Sequence, residues 1–200
     1  MPSLRTMLCG IFIGGASRRM GFPKARLRLS TGEALLERTV RVVCEAGLDP
    51  VLVGSHVPIE PCLRLPSIRS LPDAAPDSGP LGGLVSLLDA ADGECVVVVA
   101  CDMPYLDAAH LRRLTEAPRG APVIAPRWDG RWEPLAARYD ARRVLRTAID
   151  RLKMRSLGLQ GFLDDVGAHE LDLAADDRAW LEDWDAPEDR TKAEEGRTTP

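Results

Sequence analysis

Three short segments carry the residues most able to do chemistry. The first is I-G-G-A-S-R-R-M-G-F-P-K, from Ile13 to Lys24. The glycine pair Gly14 and Gly15 lets the main chain turn sharply and come close to a ligand, and successive N–H groups in such a turn make a concavity for an anion. Ser17, Arg18, Arg19 and Lys24 add hydroxyl and cationic donors around it. No G-K-[ST] closes the segment, so it is not a P-loop, and it is not the dinucleotide G-x-G-x-x-G either. The second segment is A-C-D-M-P-Y, which puts Asp102 directly after an apolar run. A carboxylate at the end of a buried strand is suited to a hard cation that also touches substrate phosphates, as magnesium commonly does. The third is L-P-D-A-A-P-D-S-G-P-L-G-G-L, from Leu71 to Leu84. Here Asp73 follows a short strand and Gly79-Pro80-Leu81 opens a helix, with Gly82 and Gly83 expected to leave room for a flat ligand. Together the segments predict a nucleoside triphosphate held by main chain and lysine, with a metal on Asp102.

Residues so far apart in the chain need a fold that gathers them. Strand patterns at Leu8–Ile13, Val51–Val53, Ser67–Leu71, Cys95–Ala100 and Pro122–Ala125 alternate with helical patterns at Glu33–Ala46, Leu81–Ala91 and Ala108–Ala117. Such alternation implies right-handed crossovers and a parallel sheet. Val96–Val99 lacks polar alternation, as expected of a central strand covered on both faces. Beyond it, a strand is expected at Leu135–Tyr139, helices at Arg142–Lys153 and Leu157–Val166, and a short strand at Glu170–Leu173. The fold class is a three-layer α/β/α sandwich with a Rossmann-like, mostly parallel sheet. In such sheets ligands sit outside the carboxyl ends of the strands, where strand order reverses. All three chemical segments follow strands, so they converge on that crevice.

Composition narrows the function classes. At 200 residues the chain can bury a core without disulfides or a structural metal. We read 1–195 as a single domain and 196–200 as a disordered tail. A net charge of −4 argues against nucleic acid or an anionic membrane as the main partner. The five cysteines form no C-x-x-C pair and suit reduced, buried thiols in a cytoplasmic protein rather than a zinc site. The apolar stretch after Arg5 is too short for a signal sequence and reads as a strand, and no run is long enough to span a bilayer. Only three of the 26 basic residues are lysines (Lys24, Lys153 and Lys192). Lys24 is thus the one compact ammonium in a loop otherwise supplied with arginine forks, and it suits crowded phosphates as a point charge.

The first segment, F-I-G-G-A-S-R-R-M-G-F-P-K, resembles the L-A-G-G-x-S-x-R-M-G-x-x-K loop of nucleotidylyltransferases. G-P-L-G-G at Gly79–Gly83, C-D-M-P at Cys101–Pro104 and P-E-D at Pro187–Asp189 narrow the likeness to the molybdenum cofactor guanylyltransferases, the molybdopterin-guanine dinucleotide biosynthesis protein A family. The likeness runs over about residues 8 to 190. It implies a nucleotide-diphospho-sugar-transferase-like fold and transfer of GMP from GTP to the phosphate of the molybdopterin (molybdenum) cofactor. The products would be the guanine dinucleotide cofactor and pyrophosphate. It further implies that the main chain at Phe12, Ile13, Gly14 and Gly15 cradles GTP, and that Lys24 binds its phosphates with help from Arg18. Asp73 would contact the nucleoside, Gly79, Pro80 and Leu81 would lie near guanine, and Asp102 would hold magnesium, with manganese as a substitute. Partners would be the two substrates and the cofactor-biosynthesis or acceptor enzymes that hand over or receive the cofactor.

Two departures stand out. Phe12-Ile13 replaces the usual Leu-Ala, and Asp183 and Asp185 stand where the family often has asparagines. Trp128, Trp132 and Glu133–Leu135 lie where the resemblance puts the acceptor; core packing is the favoured role of the tryptophans, stacking on a pterin the second. The rival enzyme is a cytidylyltransferase or another nucleotidylyltransferase acting on a related phosphate, and the rival of another class is a GTP-binding chaperone that only delivers cofactor. Gly14 and Gly79–Gly83 favour guanine over cytosine.

Overall fold

The computed structural model describes residues 6–13, 28–29, 31–54, 68–173 and 180–181. The loop from Gly14 to Lys24, the residues Asp183 and Asp185, the P-E-D segment and the tail lie outside the described residues.

The chain begins with β1 (Leu8–Phe12), α1 (Leu35–Glu45), β2 (Asp49–Val53), β3 (Arg69–Leu71), α2 (Gly79–Ala90) and β4 (Cys95–Ala100). It continues with α3 (Ala108–Glu116), β5 (Val123–Ala125), β6 (Arg127–Trp128), β7 (Arg131–Trp132), β8 (Ala136–Asp140), α4 (Ala141–Lys153), α5 (Leu159–Val166) and β9 (His169–Glu170). Seven strands form one sheet in the order β3-β2-β1-β4-β8-β5-β9. β3, β2, β1 and β4 are mutually parallel, and β5 pairs in parallel with β9, while β8 runs antiparallel between β4 and β5. The chain leaves β1 towards β2 and β3 on one side and returns to β4 on the other, so the reversal of strand order lies between β1 and β4.

Alternation along the strands sorts side chains into two cores. Phe12, Val53, Val96 and Val98 face α2, α4 and α5, whereas Ile11, Leu52, Val97 and Val99 face α1 and α3. Both cores are needed because a parallel strand has no polar face to turn to solvent. On the second face the ring of Trp180, almost fully buried, stacks on His110 of α3 at 4.8 Å.

Local signals account for the helix ends. The Asp107 carboxylate accepts from the His110 N–H at 3.0 Å and starts α3, and Asp140 does the same for α4 through Arg143 N–H at 3.3 Å. Pro80 lies in the first turn of α2, where its missing N–H costs nothing. Gly167 ends α5 in the left-handed region at φ 68°. Buried Arg138 on β8 closes the far end of α3, donating to the carbonyls of Leu114 (3.1 Å), Ala117 (2.6 Å) and Pro118 (2.7 Å). A cation is favoured there because a helix carboxyl end carries unpaired carbonyls and partial negative charge.

The observed elements fall where the sequence pattern puts them, with one shift and one addition. The last strand, expected at Glu170–Leu173, is His169–Glu170. The pair β6 and β7 forms a separate hairpin that the pattern does not flag. Of the four described cysteines, all in the thiol form, Cys9 and Cys101 are buried as expected. Cys44 is exposed, because it lies on the solvent side of α1. Among the described residues no helix is long and apolar enough to cross a membrane.

Candidate functional site

The parallel strands end level with one another. Phe12 pairs with both Val53 and Ala100, and Val53 pairs with Leu71. The ladder continues one residue further, with Ile13 N–H donating to the Val53 carbonyl, Gly54 N–H to Leu71 and Cys101 N–H to Phe12, each at 3.1 Å. These bonds bring Ile13, Asp73 and Asp102 to one edge of the sheet. Asp102 emerges next to β1 at the reversal point, and Asp73 emerges from the outer strand β3. Three strand spacings separate their strands, about 14 Å, so a ligand touching both must be extended along the edge.

The same bonds limit what Phe12 and Ile13 can offer. The Ile13 N–H and the Phe12 carbonyl are both committed to the sheet, so neither is left for a ligand. The Phe12 ring is buried in the core under α2.

Asp73 is held against the first turn of α2. Its backbone N–H neighbour, that of Ala74, donates to the Gly82 carbonyl at 3.1 Å. A methyl group built on Gly83 would stand 2.6 Å from Val53 Cγ1, 3.1 Å from the Phe12 ring and 3.1 Å from Asp73 Oδ1. One on Gly82 would collide with the Ser78 side chain. The expectation that these two glycines leave space for a ligand is therefore corrected. Gly83 lets α2 lie close on the ends of β1 and β2, Gly82 makes room for the Ser78 side chain of the preceding turn, and protein atoms occupy both spaces. Burial also pushes the Asp73 carboxyl above its usual range. A carboxylate so placed favours a ligand that brings N–H donors.

Of the three residues opening α2, Gly79 and Pro80 are exposed while Leu81 is wholly buried in the core, so only the first two reach solvent at this edge. The turn before them has Asp77 at φ 49° and Gly79 at φ 55°. Arg155, beyond the end of α4, donates to the carbonyls of Pro76 (3.4 Å) and Asp77 (3.3 Å) and ties that turn down. Nothing in the sequence marks Arg155 for this role, since the contact joins residues almost 80 positions apart.

The hairpin reaches the same edge from the other side of β4. β8 starts beside the end of β4, Val99 opposite Ala136, with Ala100 N–H donating to the Leu135 carbonyl at 2.9 Å. The turn residues Asp129 (φ 45°) and Gly130 (φ 75°) both lie in the left-handed region, as a tight two-residue hairpin demands. The D-G pair inside R-W-D-G-R-W is the signal that could have revealed it. Trp132 is buried, in line with core packing, but Trp128 is 38% exposed and departs from it. Adjacent strand positions alternate faces, and Arg127 pairs with Trp132 while Trp128 pairs with Arg131, which sends the two indoles opposite ways.

The candidate metal position consists of one hard oxygen donor set, the Asp102 carboxylate. Among the described residues there is no cluster of three or more histidine, cysteine, aspartate or glutamate side chains. A caged transition metal does not fit those residues. Magnesium does, because it takes one or two carboxylates and completes its shell with phosphate oxygens and water.

A family described as a MobA-like NTP transferase domain matches residues 9–166. A probable molybdenum cofactor guanylyltransferase of Opitutus terrae is 35% identical over 190 residues, which is 91% of this chain and 92% of the relative. The molybdenum cofactor guanylyltransferase of Xanthomonas euvesicatoria is 33% identical over 180 residues, 89% of each chain. Among solved structures, molybdopterin-guanine dinucleotide biosynthesis protein A of Archaeoglobus fulgidus superposes with a TM-score of 0.75 at 19% identity, covering 94% of this chain and 97% of that one. The 2-C-methyl-D-erythritol 4-phosphate cytidylyltransferase of Thermus thermophilus gives 0.67 at 18% identity, over 94% and 98%. One fold thus serves proteins named for different bases, and the backbone alone does not select guanine.

Proposed function

The chain belongs to the MobA-like NTP transferase family, and from that premise we propose that it transfers GMP from GTP to the phosphate of the molybdopterin cofactor. The observation that carries this reading is identity of 33–35% with relatives named as molybdenum cofactor guanylyltransferases over about nine-tenths of both chains. The G-P-L-G-G segment at Gly79–Gly83 supports guanine as the base.

The chemistry asks for alignment and charge neutralisation more than covalent participation. An oxygen of the acceptor phosphate attacks the α-phosphorus of GTP. The new P–O bond completes a pyrophosphate bridge between the two halves of the dinucleotide. The bond from the α-phosphorus to the bridging β-oxygen breaks, and its electron pair leaves with pyrophosphate. In our assignment the main chain from Phe12 to Gly15 leads the loop around the triphosphate. Lys24 and Arg18 neutralise its oxygens. Asp73 accepts from donors on the nucleoside, and Gly79 and Pro80 border the base. Leu81 acts from within the core by seating the first turn of α2. Asp102 holds magnesium, or manganese in its place, which when bound supplies positive charge to the phosphates. A cytoplasmic setting belongs to the same proposal.

The test is release of pyrophosphate by the purified protein given GTP, magnesium and the molybdopterin cofactor. Stoichiometric release with formation of the guanine dinucleotide is expected. GTP binding with no pyrophosphate would instead make the protein a delivery chaperone. A larger rise in melting temperature with CTP than with GTP would transfer the assignment to the cytidylyl branch.

A further inference from the structure

We propose that the β6–β7 hairpin is the acceptor-recognition element, with Trp128 and Arg131 presenting one face to a planar fused-ring heterocycle that carries a phosphate. This rests on the proposed reaction for the identity of the acceptor, and it adds the residues that would read it.

Position is the first argument. β5 and β4 point the same way because each is antiparallel to β8. The connection from β5 to β8 therefore lies on the carboxyl edge, beside the strand that delivers Asp102. A molecule reacting with a nucleotide along β3-β2-β1-β4 can approach from the β8 side without crossing the base.

Mounting is the second. The side-chain amide of Gln160 brackets Trp132, accepting from its backbone N–H at 2.9 Å and donating to its carbonyl at 2.7 Å. The Trp132 indole N–H donates to Asp164 Oδ1 at 2.8 Å. The Arg127 guanidinium lies over the Trp132 ring at 4.9 Å and donates to the Gly130 carbonyl. At the base of the hairpin, the Tyr139 hydroxyl donates to the Pro134 carbonyl at 2.7 Å. A two-stranded hairpin is marginal by itself. This one is held by α5 and β8 in a single orientation, as a recognition surface requires.

The third is chemistry. With the Arg127–Trp132 pair turned onto α5, the cross-strand pair Trp128–Arg131 is on the opposite face, and both residues are exposed. Directly opposed residues have Cβ atoms about 5 Å apart, which sets an indole plane beside a guanidinium fork. An indole stacks on a flat heterocycle, and a guanidinium pairs with phosphate oxygens. Trp128 and Met154 are the exposed large hydrophobic side chains among the described residues, and of the two Trp128 is the aromatic one.

The experiment compares wild type with Trp128→Ala, Trp128→Phe and Arg131→Ala. Acceptor binding is read directly by equilibrium dialysis of the molybdopterin cofactor without nucleotide, and in turnover with whichever triphosphate the enzyme uses. Trp128→Ala and Arg131→Ala are expected to raise the acceptor KM about tenfold, with GTP affinity and melting temperature unchanged. Trp128→Phe, which keeps a ring, is expected to recover most of the loss. Wild-type acceptor binding in both alanine variants would overturn the proposal. Because binding is measured without nucleotide, use of the wrong triphosphate would refute the proposed reaction and leave this test standing.

Discussion

The four parallel strands β3-β2-β1-β4 and the strands β8-β5-β9 reach the same edge of the sheet by different routes. In the parallel half every strand is followed by a crossover, so each carboxyl end releases a loop at that edge. What gathers there is largely main chain, a helix beginning and two carboxylates. In the other half antiparallel β8 reverses the chain within a few residues, so the edge receives a stiff hairpin whose side chains do the presenting. Nucleotide phosphates are alike in every substrate and suit a main-chain cradle. An acceptor differs between related enzymes and suits side chains on a mounted hairpin. On the proposed assignment, one sheet would separate what is common to the chemistry from what is particular to the substrate.

That division can be tested by substitution. The largest effect is expected for Lys24→Ala on the nucleotide side, a fall of about 10²–10³ in turnover with stability unchanged. Parallel measurement of kcat and chemical denaturation checks it, and a loss below about fivefold would remove Lys24 from the phosphates. Arg138→Met, in the antiparallel half, should do the reverse. It strips the carbonyls at the end of α3 of their buried donor and should cost about 3 kcal/mol of stability, with activity per folded molecule kept. Urea unfolding followed by an active-site titration would show this.

Gly83→Val sits where fold and site meet. Its side chain would strike Val53 and press on Phe12 and Asp73, at an expected cost of about 1–3 kcal/mol together with weaker GTP binding by calorimetry. Normal GTP affinity would show that α2 can shift without disturbing the site. The smallest effect is expected at Asp73. Its folded pKa is raised by burial, so its ionised form opposes folding at neutral pH, and that opposition disappears as pH falls through the folded value and below about 4. Asp73→Asn should therefore raise the melting temperature at pH 7, with the gain shrinking on acidification. The same variant should weaken GTP by about 1.5 kcal/mol. A variant that gains no stability at pH 7 would show that burial does not tax the carboxylate.

The alternation of strand and helix was readable because a valine run with no polar face, such as Val96–Val99, has few homes other than a central parallel strand. Asp102 was readable for the same reason, standing where that run stops. The hairpin escaped because two-residue strands carry no periodicity, although Asp129-Gly130 announces its turn. Gly82 and Gly83 were misjudged because a glycine in a sequence says that a side chain is unwelcome, not whether a ligand or a neighbouring strand fills the space. The two tryptophans, identical in type and four residues apart, were separated only by which face of the hairpin each occupies.

Residue types and spacing by themselves determined the fold class and the family and marked out the three segments proposed for the chemistry, because each depends on local patterns within a short stretch of chain. Tertiary structure alone decided that Gly82 and Gly83 serve packing and that Leu81 faces the core. It also decided that Arg155 ties the turn before α2 and that α5 holds the hairpin through Trp132. Those outcomes depend on contacts between residues tens of positions apart, and they exist only once strand order and register have brought the partners together.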